Sequence, residues 1–367
     1  MKTRKLAIVL TAALVAGATL TACSTPSTGN SGGASSSAPT SAAAAQNLTI
    51  YTARDAGEVT VVTEAFMAAN PQYKGKVQVV NMPTGDSLTR LQAEKTNPQA
   101  GFLWGGTNAQ FVTATQQGLL APYKMKNDAL ITAADKDPNY NWYAEMLYPE
   151  VIVYNSNILN AQTAPQDWGD LADPAWKGQI VIRDVLPSGT MQTIFSSIIY
   201  PFFKQDGNPQ RGYDLLAKID ANTVVYTQSP ADMYTAVNQG TGSVTVWNLQ
   251  DVMIQTHVTN PPFPWGYIMP KSGSPILLDC VGIVNNPNQQ QAAQDFMDFL
   301  MSPDEQATLS TKYYQIPAMQ LPAASQAEWL KALTIKPMDI DWAVLNSNQK
   351  DWMTYWSTNI KGKNGGQ

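Results

Sequence analysis

The stretch LTIYTARDAGEVTVVTEAFMAA, residues 48–69, sets the pattern from which the fold class is predicted. Residues 48–51 form a β-branched and aromatic run that is typical of a strand. Val59, Val62 and Phe66 then recur at the spacing of one helix face. A strand followed directly by an amphipathic helix is the basic unit of an α/β fold.

The same alternation recurs along the chain. Further strands are predicted at residues 77–80, 101–104, 151–154, 179–182 and 243–247. Helices are predicted from about Ser87, near Thr107, after residues 188–190 and after Ser229. This alternation predicts a mainly parallel sheet with helices on both faces. Extended segments near residues 150 and 280 divide the α/β units into two lobes that face each other across a cleft.

Composition excludes several classes of function. The chain has 367 residues, of which 44% are hydrophobic and 14% are charged. Without Lys2, Arg4 and Lys5 it carries 20 basic and 28 acidic side chains, a net charge of −8, so a basic nucleic-acid surface is not expected. Two cysteines and one histidine exclude a disulfide scaffold and a multi-histidine metal cage.

The N-terminus has the pattern of an export signal. Three basic residues precede an uncharged run at residues 6–20, which is short for a membrane span but typical of a signal peptide. The run ends in LTAC, residues 20–23, which resembles a bacterial lipobox and implies lipidation of Cys23; an incidental thiol beside an ordinary cleavage site is the alternative. Residues 24–46 are rich in Ser, Thr, Ala, Gly and Pro, which predicts a flexible leash. Cys280 is then left without a partner, as a buried small apolar residue.

Several short motifs of the folded part resemble one family in their order and spacing. They are LTIYTA at 48–53, WGG at 104–106, VIVYN at 151–155, DWGDLADP at 167–174 with WKG at 176–178, SGT at 188–190 and SPDE at 302–305. The chain resembles the extracellular solute-binding proteins of bacterial ABC importers, in the group that includes ferric-ion, thiamine, phosphonate and hexose-phosphate binders.

The resemblance implies a two-lobe, type II periplasmic-binding-protein fold that closes on a solute and docks on a membrane permease. We expect residues 47–150 and 281–318 to form the first lobe, and residues 151–280 and 319–367 the second. In the ferric members, a tyrosine pair follows a second-lobe strand. Here residues 246–249 read VWNL and no histidine follows Arg54, which argues against Fe(III). Tyr313-Tyr314 offers phenols in a different part of the pattern.

Candidate ligand contacts lie where strands end and helices begin. Two loops, Ser188-Gly189-Thr190 and Gly105-Gly106-Thr107, combine hydroxyls with the free amides of a helix start, which suits an anion. Helix capping and a plain tight turn are the respective alternatives.

Other candidates follow the first strand or lie in the second lobe. Thr52, Ala53 and Arg54 end the first strand, where Arg54 suits a phosphate, phosphonate or carboxylate unless it pairs with Asp55 or another acid. Trp247 either presents a flat apolar surface to the ligand or belongs to the hydrophobic core. Asn248 presents a side-chain amide, which can donate and accept hydrogen bonds. Asp279 either binds an amine or hydroxyl of the ligand or braces the hinge.

The sequence therefore predicts a lipid-anchored, extracytoplasmic, monomeric receptor without catalytic activity or cofactor. It would bind a small anionic solute and deliver it to an ABC permease. Fe(III), a polyamine or thiamine are alternative ligands on the same fold. A hydrolase or lyase that uses carboxylates in the cleft, and a structural surface lipoprotein, are the alternatives of other classes.

Overall fold

A computed structural model describes residues 46–363 of the chain. The predictions for the signal segment, for lipidation of Cys23 and for nearly all of the leash lie outside the described residues.

The described part contains eleven strands and eleven α-helices. The strands are β1 (Leu48–Thr52), β2 (Val77–Asn81), β3 (Phe102–Thr107), β4 (Leu120–Ala121), β5 (Tyr143–Asn155), β6 (Ile180–Arg183), β7 (Thr223–Thr227), β8 (Val244–Asn248), β9 (Trp265–Ile268), β10 (Ile276–Val284) and β11 (Ile316–Pro317). The helices are α1 (Ala56–Ala69), α2 (Thr84–Ala93), α3 (Asn108–Gln116), α4 (Gly189–Asp206), α5 (Gln210–Asn222), α6 (Pro230–Asn238), α7 (Leu249–His257), α8 (Gln290–Leu300), α9 (Pro303–Tyr313), α10 (Glu328–Ala332) and α11 (Trp342–Asn359).

Serine caps fix where three of the helices begin. The hydroxyls of Ser188, Ser229 and Ser302 each accept a hydrogen bond from the backbone N–H three residues later, at 3.1–3.3 Å. Helix α2 begins earlier than predicted, because the carbonyl of Pro83 accepts from the N–H groups of Asp86 and Ser87 at 3.0 Å.

The strands follow the order β2-β1-β3-β10-β5-β8-β6-β7. The predicted parallel pairing is confirmed within β2-β1-β3 and within β8-β6-β7. Between these two groups the pairs are antiparallel, because β5 and β10 carry the chain between the lobes in opposite directions. The architecture is therefore mixed α/β rather than mainly parallel throughout.

Two hydrophobic cores define two lobes. The first lobe packs β1–β3, α1, α3 and α8 around a core that includes Phe66, Trp104 and Phe296. The second lobe packs β6–β8, α4 and α11 around a core that includes Phe195 and Trp356. Strand β5 contributes to both cores.

The lobe boundaries proposed from the sequence fall within the crossing strands. Residue 150 lies inside β5 and residue 280 inside β10. Met319 and Leu321 pack in the first core although the sequence had assigned them to the second lobe. We propose that the final boundary follows Leu321. Within residues 46–363, no helix combines the length and apolar character required to cross a bilayer.

Candidate functional site

A cavity of about 440 Å³ lies between the lobes, where strands of both lobes end and helices begin. Eleven of the twelve predicted contacts line it: Ala53, Arg54, Gly105, Gly106, Thr107, Ser188, Gly189, Thr190, Trp247, Asn248 and Asp279. Thr52 lies fully buried beneath them, and its hydroxyl accepts from the N–H of Arg54 at 3.1 Å. The loops predicted from sequence therefore meet at one cavity, and Thr52 supports its wall.

Helix N-termini from both lobes open onto this cavity. Helices α2, α3, α4, α6 and α7 each have a lining residue at the first helical position or the cap. Unpaired N–H groups and the helix dipole place partial positive charge at such a terminus. These termini therefore direct partial positive charge at the cavity, whose lining also includes several acids.

The glycine pair at the end of β3 is required by the backbone. Gly105 and Gly106 have φ values of 93° and 136°, which disfavour any side chain. A Cβ on Gly106 would also lie 3.0 Å from Thr84 Cγ2 and from Gln110 Oε1. The Gly106 N–H donates to Asp279 Oδ1 at 2.6 Å, so this loop is held against β10.

Arg54 is engaged by acids of its own lobe. Its Nη2 donates to Glu145 Oε2 at 2.6 Å and to Asp279 Oδ2 at 2.5 Å, and its Nη1 to Glu58 Oε1 at 3.3 Å. The side chain is 3% exposed, and only Nε lacks a partner within the described chain. The predicted bidentate grip on a ligand is therefore replaced by an internal ion-pair cluster, and the partners do not include Asp55.

The three carboxylates of this cluster outnumber its single cation. Burial raises the pKa of Glu58 to about 7, against the opposing effect of Arg54. Burial likewise raises the pKa of Glu145 and of Asp279 above their usual values. Gln315 donates to Glu58 Oε1 at 2.7 Å, which connects the cluster to the segment before β11. Asp279 thus acts as a brace that joins Arg54, the Gly106 amide and a crossing strand.

Arg183 is the second arginine of the cavity, and sequence reasoning missed it. It ends β6, is 9% exposed, and its Nη1 donates to the carbonyls of Asp184 and Thr227 at 3.3 Å. It forms no ion pair among the described residues. Burial lowers the pKa of Arg183, yet a guanidinium remains charged at neutral pH. The sequence did contain a signal for this residue: an arginine at the end of an apolar strand, five positions before Ser188, is placed to reach the same cavity.

Asp251 is an acid on the second-lobe wall that sequence reasoning also missed. Its Oδ2 accepts from Trp247 Nε1 at 2.6 Å, from Tyr234 Oη at 2.7 Å and from Asn248 Nδ2 at 3.0 Å. The side chains of Trp247 and Asn248 thus orient a carboxylate, and Asn248 Oδ1 caps α7 through the Asp251 N–H at 2.8 Å. No cation pairs with Asp251 in the part of the chain that the structure describes.

The tyrosine pair lies apart from this lining. Tyr314 has φ 54° after α9, and its ring stacks on His257 at 5.3 Å between centroids. The Tyr313 carbonyl accepts from Gln250 Nε2 at 2.9 Å.

Among residues 46–363, no three His, Cys, Asp or Glu side chains are grouped to hold a metal ion.

These features define a two-lobed, type II periplasmic-binding-protein fold with a cavity between the lobes. The chain belongs to the bacterial extracellular solute-binding protein family, which matches residues 107–348. It is a solute-binding protein of the ABC-importer class, and the family consists of binding proteins rather than enzymes.

Individual relatives cover most of the chain. A probable ABC transporter periplasmic-binding protein of Sinorhizobium fredii is 24% identical over 317 residues, 85% of this chain and 86% of the relative. A putative 2-aminoethylphosphonate-binding periplasmic protein of Salmonella typhimurium is 26% identical over 246 residues, 66% of this chain and 69% of the relative. The structure of the ferric binding protein from Campylobacter jejuni has a TM-score of 0.73 at 23% identity, covering 85% of this chain and 99% of that one.

Proposed function

We propose that the cavity binds a small zwitterion that carries a phosphonate, phosphate or carboxylate group and an amine. The observation that carries this proposal is that Arg183 and Asp251 line the same cavity without an ion pair to each other or to another described side chain. Arg183 is buried and Asp251 is half-buried, and each is hydrogen-bonded but has no counter-charge in the described chain. A ligand that brings the opposite charge to each position would offset the cost of keeping an uncompensated charge there.

The anionic group fits the second-lobe wall at Arg183 and the start of α4. Ser188, Gly189 and Thr190 provide hydroxyls and amides to the same cavity as the guanidinium. Charge-assisted hydrogen bonds from arginine to a phosphonate or carboxylate are among the strongest that proteins form. Arg54 contributes less, because carboxylates already occupy both its terminal nitrogens.

The amine fits beside Asp251. Three donors hold its Oδ2 in place, which leaves Oδ1 to accept from an ammonium. Burial, and then the nearby Asp251 carboxylate, raise the pKa of Glu150 well above its usual value. Glu150 does not line the cavity, so Asp251 is the acid that supplies a carboxylate to the amine at this wall.

The name of the Salmonella relative supports this ligand class. We use it to choose probes: isothermal titration calorimetry with 2-aminoethylphosphonate, ethylphosphonate and ethylamine. We expect 2-aminoethylphosphonate to bind most tightly, because it alone satisfies both walls. Asp251→Asn should reduce its affinity to that of ethylphosphonate, whereas Asp214→Asn, at an exposed position of α5, should have no effect.

Other ligands would contradict the proposal. Binding of ferric citrate or spermidine by the purified protein, without binding of either phosphonate, would favour the alternative ligands on this fold. Conversion of a bound phosphonate to a new product, detected by phosphorus NMR, would favour an enzyme.

We also propose that the protein is a monomer tethered by a lipid on Cys23 and that it delivers its solute to a membrane permease. Mass spectrometry of the N-terminal peptide and release of a Cys23→Ser variant from membranes test the anchor. A variant that stays in the membrane fraction would contradict it.

A further inference from the structure

We propose that a second cavity between the lobes binds a small uncharged molecule with several hydroxyl groups, such as a monosaccharide or a cyclitol. This cavity measures about 580 Å³ and adjoins the zwitterion cavity. Thr107, Gly189, Leu277 and Leu278 line both. A Cβ on Gly189 would lie 3.6 Å from Thr107 Cγ2, so the two lobes meet where the cavities adjoin. The inference goes beyond the proposed function, because it concerns a separate site.

Five carboxamide side chains line the cavity. Two of them are bonded within the fold, since Gln110 Oε1 accepts from the Thr107 N–H at 3.1 Å and Gln192 Nε2 donates to the Leu186 carbonyl at 2.7 Å.

The other three carboxamides lie on α3 and α11. Asn108 lies at the start of α3, while Asn346 and Gln349 lie on one face of α11. None of these three amides makes a side-chain hydrogen bond within residues 46–363. Each amide can donate and accept at once, which matches the needs of a hydroxyl group. Partnerless amides on both sides of a cavity are therefore suited to a polyol.

The apolar part of the lining suits a sugar ring. Leu147, Ile276 and Leu277 of the crossing strands line the cavity, and Trp342 adds an indole from the same face of α11 as Asn346. The Trp342 indole is half-buried and makes no ring contact with other described aromatic residues. An aromatic face offers a flat apolar surface to the C–H groups of a sugar, while its N–H can meet a hydroxyl.

Charge separates this cavity from its neighbour. Asp135 is the only ionisable residue in its described lining, and its Oδ2 already accepts from the Thr132 hydroxyl at 2.6 Å. No lysine or arginine of the described chain lines this cavity, whereas Arg183 lines the adjoining zwitterion cavity. An anionic ligand would find no counter-charge here, whereas a neutral polyol would not need one.

The position of the cavity predicts a coupling between the two sites. First-lobe helix α3 and second-lobe helices α4 and α11 all contribute to its wall. A molecule that contacts both lobes stabilises their closed arrangement. Because linkage is reciprocal, a polyol bound here should raise the affinity of the neighbouring cavity for its own ligand.

Saturation-transfer NMR on the purified chain tests the site with D-glucose and myo-inositol at millimolar concentration. We expect transfer to at least one probe, retained in Arg183→Gln and lost in Trp342→Ala and in Asn346→Leu. Asn108→Ala, on the opposite wall, should also reduce the transfer. A loss in this variant cannot come from a folding defect of α11, because Asn108 lies on α3. Ser347→Ala, exposed on the same helix, is the matched control and should leave transfer unchanged.

Three outcomes would overturn the inference. Absence of transfer to both probes would show that the cavity does not select hydroxylated molecules. Transfer that survives all three cavity variants would place the probe elsewhere. Transfer lost in Arg183→Gln would place it in the neighbouring cavity, and circular dichroism of each variant would exclude loss of fold as the cause.

Discussion

Arg54 and Arg183 line the same cavity, yet their surroundings give them opposite roles. Three carboxylates of the first lobe surround Arg54, whereas Arg183 of the second lobe donates only to backbone carbonyls. Both side chains are largely buried; Arg54 follows β1 and Arg183 is the last residue of β6. A cationic residue at the edge of a cleft is thus available to a ligand only if no acid of the surrounding fold forms an ion pair with it.

The two walls of the cavity differ in the same way. The first-lobe wall is internally paired, since Asp279 binds both Arg54 and the Gly106 amide. On the second-lobe wall, Arg183 and Asp251 form no ion pair with each other or with another described side chain. We therefore expect changes on the first wall to alter stability and changes on the second to alter affinity.

The largest expected effect is the loss of stability on Arg54→Met. Removal of the single cation leaves Glu58, Glu145 and Asp279 in a buried site, and breaking a buried ion pair in this way costs about 3–5 kcal/mol. Urea unfolding followed by circular dichroism measures the change. Arg211→Met breaks an exposed pair with Asp206 and should cost less than about 1 kcal/mol. An equal effect of the two substitutions would contradict the assignment of Arg54 as a structural residue.

The next effect concerns pH and Glu58. Its folded-state pKa of about 7 lies above the ordinary 4.5, so the folded state favours the protonated acid. The stability that this provides is fully present below about pH 4.5 and is lost as the pH rises to about 7. The shift is about 2.5 pKa units and one unit corresponds to about 1.4 kcal/mol, so the loss is at most about 3.5 kcal/mol. Glu58→Gln remains neutral and should lose less stability than the wild type over this range. Parallel urea-unfolding profiles from pH 4.5 to 8 would contradict the prediction.

Arg183→Gln should reduce affinity and leave stability nearly unchanged. A hydrogen bond to a charged group contributes about 1.5–3 kcal/mol, so the dissociation constant for 2-aminoethylphosphonate should rise by about 10- to 100-fold. Calorimetry measures this change, and thermal unfolding of the ligand-free protein measures stability. Arg211→Gln is the matched control. A large loss of stability with unchanged affinity would reverse the roles assigned to the two arginines.

Sequence reasoning located the loops of the site but not the pairing of its charges. Local signals were sufficient for the loops: Ser188 caps α4, which was the alternative to ligand contact, and Gly105 and Gly106 lie at the end of β3 and line the cavity. Two of the three acidic partners of Arg54, Glu145 and Asp279, lie 91 and 225 positions away, and only the crossing strands bring them to it. Local propensity carries no information about such distant contacts. Arg183 was missed for the same reason. Its suitability for an anionic ligand depends on its having no ion-pair partner in the fold, and the sequence does not show which acids lie near it.

The smallest effect separates capping from ligand binding at Ser188. Its hydroxyl accepts from the Met191 N–H at 3.3 Å, and Ser302 makes the same contact with the Glu305 N–H at 3.2 Å. Loss of either cap should cost about 1 kcal/mol of stability, so Ser302→Ala is a matched control away from the cavity lining. If Ser188 also contacts the anion, Ser188→Ala should weaken 2-aminoethylphosphonate binding, measured by calorimetry, and Ser302→Ala should not. Equal affinity of the two variants would show that Ser188 only caps its helix, and Arg183 and the α4 amides would then hold the anion without its hydroxyl.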